Sequence, residues 1–156
     1  ETNLYLLMDV IEHIEDEQKF LSNLIAIARP GAHILITVPA DNRLWGAHDI
    51  RVDHFRRYME DDLVALIGTL SVRLKFVAYF NKTLYWPIRL ARKLGNLVGR
   101  TAGGEGTDIS LPPTYINNFL LKLLHPEEKF LTEYYDGTRQ TGYTKGASIL
   151  AVLVCK

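Results

Sequence analysis

The sequence predicts an α/β fold, on three observations. A short unbroken apolar run, residues 4–8, and a mostly apolar one, residues 33–38, are separated by a segment whose apolar residues repeat at helical spacing. A third apolar run, residues 147–154, closes the chain. Strand, helix, strand over such a distance makes a right-handed crossover in a parallel sheet.

Leu4-Tyr5-Leu6-Leu7-Met8 has the continuous apolar character of a strand buried on both faces of such a sheet. A core helix segment would look the same, but the run is short and the acidic cluster after Val10 starts something new. Glu15, Asp16 and Glu17 stand where a helix N-terminus favours negative charge. Phe20, Leu21, Leu24, Ile25 and Ala28 follow at helical spacing, and Arg29-Pro30-Gly31 stops the helix. The second strand, residues 33–38, is ended by Pro39. Residues 40–58 then form a polar loop, long for a structureless connection, so either function or disorder is expected of it. Leu63, Leu66, Ile67 and Leu70 repeat at i, i+3, i+4, i+7 and predict a second amphipathic helix.

Residues 72–80 read as a third strand and residues 147–154 as a fourth. The long insertion between them holds a basic apolar segment, residues 84–98, and a glycine-rich stretch, residues 101–107, with the composition of a mobile linker. A helix is expected from Pro113 to about Leu124 and a second from Pro126 to Tyr135. The division is thus residues 1–80 for a partial α/β core, 81–146 for a helical insertion or cap, and 147–156 for the final core strand.

Lys+Arg and Asp+Glu both number 18, so a formal charge of zero gives no overall pull toward nucleic acid, and none is expected as a partner. The balance is uneven, however: residues 63–104 contain no acid and seven bases. Cys155 is the lone cysteine, which excludes an internal disulfide and suits a reducing, cytoplasmic setting. No stretch approaches the roughly 20 apolar residues of a membrane span, and no cleavable signal is visible. The sequence enters an apolar run within a few residues of Glu1 and reads as a chain entered midway.

The chemistry concentrates in Asp9-Val10-Ile11-Glu12-His13-Ile14, where a strand ends and a helix approaches. In open α/β sheets ligands bind beyond the carboxyl ends of the strands. Three readings stay open from the residues alone: acids feeding a helix N-terminus, contact with a cofactor or substrate, and a divalent-metal site.

Asp9-Val-Ile-Glu-His-Ile-Glu-Asp, a helix, and then Arg-Pro-Gly-Ala-His-Ile-Leu-Ile-Thr-Val-Pro resemble the second half of class I S-adenosylmethionine-dependent methyltransferases of the type 11/12 families. Arg29 and Ala32 replace the usual Lys and second Gly. His48-Asp49 and His54-Phe55-Arg56-Arg57-Tyr58 resemble the H-x-R-R-Y element of a bacterial subgroup. The resemblance implies a Rossmann-like sheet of seven strands whose last two form an antiparallel hairpin. Residues 4–8, 34–38, 72–80 and 147–154 would be its strands four to seven. The cofactor would be S-adenosylmethionine, bound only by the complete enzyme, because no G-x-G-x-x-G turn is present: Gly103-Gly104-Glu105-Gly106 follows no strand.

The same resemblance implies that Asp9 and Val10 border the methionine part of the cofactor while Glu12 and His13 face the substrate, with His13 a candidate base. Some O-methyltransferases of ubiquinone synthesis and the small-RNA 2′-O-methyltransferases carry an acid-x-x-Glu-His metal site here. Asp9, Glu12 and His13 match its spacing, with His48 or His54 as a further ligand. Many relatives keep Glu-His without a metal, so no metal ligand is assigned and a divalent ion is the less favoured alternative.

Trp45, His48, His54, Arg56, Arg57 and Tyr58 are the candidate substrate contacts of the long loop. A guanidinium fork suits carboxylate or phosphate, but Arg56 and Arg57 could equally fix the loop against Asp49, Asp53, Glu60 or Asp61. Trp45 reads equally as a substrate wall or a loop anchor. Residues 83–100 mix Tyr85, Trp86 and leucines with bases, which suits either peripheral membrane contact or a cap helix packed on the sheet.

Two functions follow. One is methyl transfer to a small-molecule or lipid- or sugar-linked acceptor. The other is a non-catalytic recognition or membrane-surface module that associates through an exposed sheet edge. That edge, at residues 4–8, makes a homo-oligomer the expected assembly.

Overall fold

A computed structural model describes residues 2–97 and 113–156. The glycine-rich stretch at 101–107 lies outside the described residues, as do the last positions of the expected basic segment. The fold is α/β, with a four-stranded mixed sheet of β1 (Leu4–Met8), β2 (His33–Pro39), β3 (Val72–Phe80) and β4 (Ser148–Cys155) in the order β1-β2-β4-β3. β1 and β2 are parallel, and β4 is antiparallel to both of its neighbours. The expected antiparallel last pair is present, with β4 inserted between β2 and β3.

The crossover helix α1 (Glu17–Ile27) starts at Asp16, whose carboxylate accepts from the backbone N–H of Lys19 at 2.9 Å. With α3 (Glu60–Gly68) it supplies apolar side chains to one core. Leu21, Leu63 and Ile67 pack there with Ile34, Ile36 and Val38 of β2 and Ile149, Ala151 and Leu153 of β4. Alternation along β4 explains its place: every second residue is buried, and both strand edges are paired.

Three expectations need correction. β1 is a strand, but it is not buried on both faces. Tyr5 and Leu7 pack against the core, whereas Leu4, Leu6 and Met8 are 52%, 58% and 52% exposed. Among the described residues, the opposite face of the sheet is only partly covered. α5 (Thr114–Tyr135) packs over β3, with the Phe76 ring edge-on to Tyr134 and Tyr135, and leaves an apolar groove between itself and Leu4, Leu35 and Val152.

Second, of the two expectations for the loop after β2, function or disorder, disorder is overturned, since the loop holds a 3-10 turn (Asn42–Leu44) and the short helix α2 (Ala47–Arg51). Third, the two helices expected around Pro126 are one helix, α5. Proline removes one N–H and keeps a helical φ, so a well-anchored helix can run through it. The anchor is the next residue. Buried Glu127 accepts from the backbone N–H groups of Lys82 and Thr83 at 3.2 and 2.9 Å, and from the Thr83 hydroxyl at 2.9 Å. These N–H groups begin α4 (Lys82–Leu97), so one carboxylate caps α4 and pins α5 to it.

Gly146 ends the insertion where the chain passes over β3. A Cβ there would lie 2.1 Å from the Phe80 carbonyl oxygen, so only glycine fits.

Candidate functional site

β1, β2 and β3 run the same way, so their carboxyl ends share one edge of the sheet, where β4 begins. Asp9, Asp41 and Asn81 stand just past those ends with φ of 51°, 60° and 56°. Asp and Asn tolerate this left-handed conformation better than other side chains, and it turns the chain sharply over the edge. Asp9 is held to β2: its N–H donates to the Thr37 carbonyl at 3.0 Å, and its carboxylate accepts from the Thr37 hydroxyl at 3.2 Å.

A 3-10 turn (Ile11–His13) follows, which sends Ile11 into the core, buries Glu12 and leaves His13 exposed. The loop of α2 closes on this turn, with the Phe55 N–H donating to the Glu12 carbonyl at 2.8 Å. Its centre is Asp49, fully buried. The Asp49 carboxylate accepts from Gly46 N–H at 2.8 Å, Arg57 Nε at 2.8 Å and His54 Nδ1 at 3.0 Å. Burial alone would raise its pKa, but the hydrogen bonds from Arg57 and His54 outweigh burial and hold it below the usual carboxylate range.

An ionised carboxylate only accepts, so His54 presents Nδ1–H to it and keeps a lone pair on Nε2. Nε2 lies 4.0 Å from Oε1 of Glu12. Burial lowers the His54 pKa against the pull of Asp49, which leaves the imidazole neutral near physiological pH. Both carboxylate oxygens of Glu12 are buried without a hydrogen-bond partner in the chain. Burial, reinforced by repulsion from Asp9 and opposed by its own backbone amide and by Arg57, pushes its pKa up to about 7. The His13 ring sits edge-on to His54 with centroids 4.6 Å apart, and His48 is 6.3 Å from His54.

These groups line a cavity of about 560 Å³. It brings together the sequence candidates Asp9, Glu12, His13, His48, His54 and Arg57. Val10, Trp45, Arg56 and Tyr58 are not in its lining. Arg56 pairs with Glu17 and donates to the Glu15 carbonyl at 2.8 Å, tying the loop to α1. Arg57 holds Asp49 and the Ala40 carbonyl. Tyr58 is buried in the core and bridges Ala40 through its backbone, and burial raises its phenol to about 12.

Sequence reasoning missed the central place of Asp49 and the roof. The roof is α4, whose Leu84, Ile88 and Arg92, spaced i, i+4, i+8, join Leu44, Arg51 and Val52 around the cavity. α4 is keyed there by the buried Tyr85, whose hydroxyl donates to Asp41 at 2.7 Å and accepts from Arg89 at 3.0 Å. The Arg92 guanidinium lies over Gly46 where a Cβ would stand. The i, i+4, i+8 signal was visible, but only the fold says which surface it covers.

Ligand atoms of Glu12, His13 and His54 lie within 4.8 Å of one another, a donor set that a divalent ion of the first transition row would accept. No family model matches the chain, and no curated protein matches it.

Proposed function

We propose that this cavity is the acceptor site of an S-adenosylmethionine-dependent methyltransferase and that His54 takes the proton of an O–H or N–H acceptor. The observation that carries the reading is the Asp49–His54 pair at the carboxyl edge of β1 and β2, facing the Glu-His of the D-x-x-E-H segment. The motif resemblance and the antiparallel last strand pair support it.

The cofactor, when bound, supplies a methyl group on sulfonium sulfur. As the acceptor takes that methyl group, its proton would pass to Nε2 of His54. Asp49 fixes the ring and stabilises the imidazolium. Methyl transfer otherwise needs alignment, which the loop and the α4 roof supply. Of the cofactor-facing groups the resemblance implies, this sequence offers Asp9 and Val10 and no glycine-rich turn, so the chain by itself should bind the cofactor weakly.

Isothermal titration with S-adenosylmethionine tests the reading, beside a form extended upstream of Glu1 by about one hundred residues, the scale of a domain. Binding by the extended form only supports it. Binding by neither favours the second function, a non-catalytic recognition module. Binding by the short chain alone places the cofactor elsewhere.

A further inference from the structure

α4 has two working faces. Its inner face roofs the cavity and its outer face carries Lys82, Trp86, Leu90 and Lys93 at i, i+4, i+8, i+11. Trp86 and Leu90 are each 58% exposed. Two cations stand at the Trp86 ring, Arg89 at 5.9 Å and Lys145 at 5.6 Å from its centroid. No acid occurs between Asp62 and Glu105 to offset them. The first turns of α5 add the exposed Tyr115, Phe119 and Leu121 with Lys122, and no acid precedes Glu127 in that helix.

An exposed tryptophan and leucines on a convex helix face cost free energy in water unless something apolar meets them. Bases on the same face, with no acid in the helix, select an anionic surface. A tryptophan flanked by cations is suited to the headgroup layer, where the indole sits among acyl ends and phosphates while lysine stems extend to water. No helix among the described residues is long and apolar enough to cross a membrane, so the contact would be peripheral.

We propose that the outer face of α4, with Trp86 and Leu90 as its apolar centre and Lys82, Arg89, Lys93 and Lys145 around them, docks on an anionic lipid surface. The docking is a property of this face and does not depend on methyl transfer. It places the cavity roof at the bilayer, so an acceptor carried on a lipid would reach the cavity past Leu84 and Ile88.

The test is co-sedimentation of the chain with vesicles of phosphatidylcholine alone and of phosphatidylcholine containing phosphatidylglycerol. We expect binding to the anionic vesicles that weakens as salt rises. Lys93→Glu with Lys145→Glu should lower vesicle affinity at least about 25-fold, at about fivefold for each base lost. Trp86→Ser with Leu90→Ser should abolish binding at any salt, while the far-ultraviolet dichroism of both pairs stays that of the parent, because the four side chains are exposed.

No binding to the anionic vesicles overturns the proposal, as does equal binding to neutral ones. Binding that the two pairs of substitutions leave unchanged also overturns it. So does lipid-free self-association that Trp86→Ser with Leu90→Ser reverses, which would make the face a contact between copies.

Discussion

Glu12 is the residue whose environment is most at odds with its chemistry: a carboxyl with no exposed area, no hydrogen-bond partner and the Asp9 carboxylate nearby. Its folded pKa, about 7, lies above the ordinary 4.5. The folded state therefore holds the proton more tightly. Glu12 costs nothing below the lower value, and its penalty grows as pH rises through the window and is complete above about 7. Glu12→Gln removes that titration. Its stability relative to the parent should improve by about 3 kcal/mol between about pH 4 and about pH 8, following 1.36 kcal/mol per unit. Urea unfolding of both proteins across this range measures it, and a flat difference would sink the assignment. His54 acts in the opposite sense, its lowered pKa making it destabilising as pH falls below its unfolded value, so the comparison must be between variants.

Asp49→Asn tests the other half of the site. It leaves Arg57 half-partnered and lets His54 choose either tautomer, and should cost about 3 kcal/mol. Long-range nitrogen NMR should show His54 carrying its proton on Nδ1 in the parent and losing that bias in the variant; an Nε2–H parent would remove the base from the mechanism. Asp9, Glu12 and His13 were legible in the sequence because they are adjacent to a strand end. Asp49 was legible only as one of four possible partners of Arg56 and Arg57; that it gathers three donors was not, because two of them lie further along a loop whose path no periodicity reveals.

At the scale of elements, α4 depends on a few polar bonds more than on a wide apolar face. Tyr85 is fully buried and its hydroxyl is one of the donors that, with Arg43, outweigh burial and keep the Asp41 carboxyl well below its ordinary range. Tyr85→Phe keeps the ring and deletes the donor. We expect a loss of about 1.5–3 kcal/mol, the range for a hydrogen bond to a charged group. Amide exchange should also quicken in α4 ahead of the sheet, and uniform quickening would mean that α4 is not keyed through Asp41. Strands and the crossover were readable because apolar runs and helical spacing are local signals. The order of the sheet was not, because β4 pairs on both edges with strands far away in sequence. The continuity of α5 through Pro126 was hidden for the same reason: Glu127 is anchored by α4, some 44 residues back.

For the molecule as a whole, the open side is the sheet face that the described residues cover only in part. β1 is an edge strand that pairs only with β2 among the described residues, and its Leu4, Leu6 and Met8 stand exposed beside an apolar groove. An unpaired edge and an adjoining apolar patch favour association with another chain. We expect the sedimentation coefficient to rise with concentration in the micromolar range. Leu6→Lys places a charge at the centre of the patch without touching the core, which Tyr5 and Leu7 face. It should shift the chain to monomer while leaving the unfolding midpoint of that monomer within about 0.5 kcal/mol of the parent, as for an exposed position. A parent that sediments as one concentration-independent monomer would show that this face is stable in water as it stands. An assembly that Leu6→Lys leaves intact would direct attention to the α4 surface instead, and Trp86→Ser with Leu90→Ser, measured without lipid, would then separate the two.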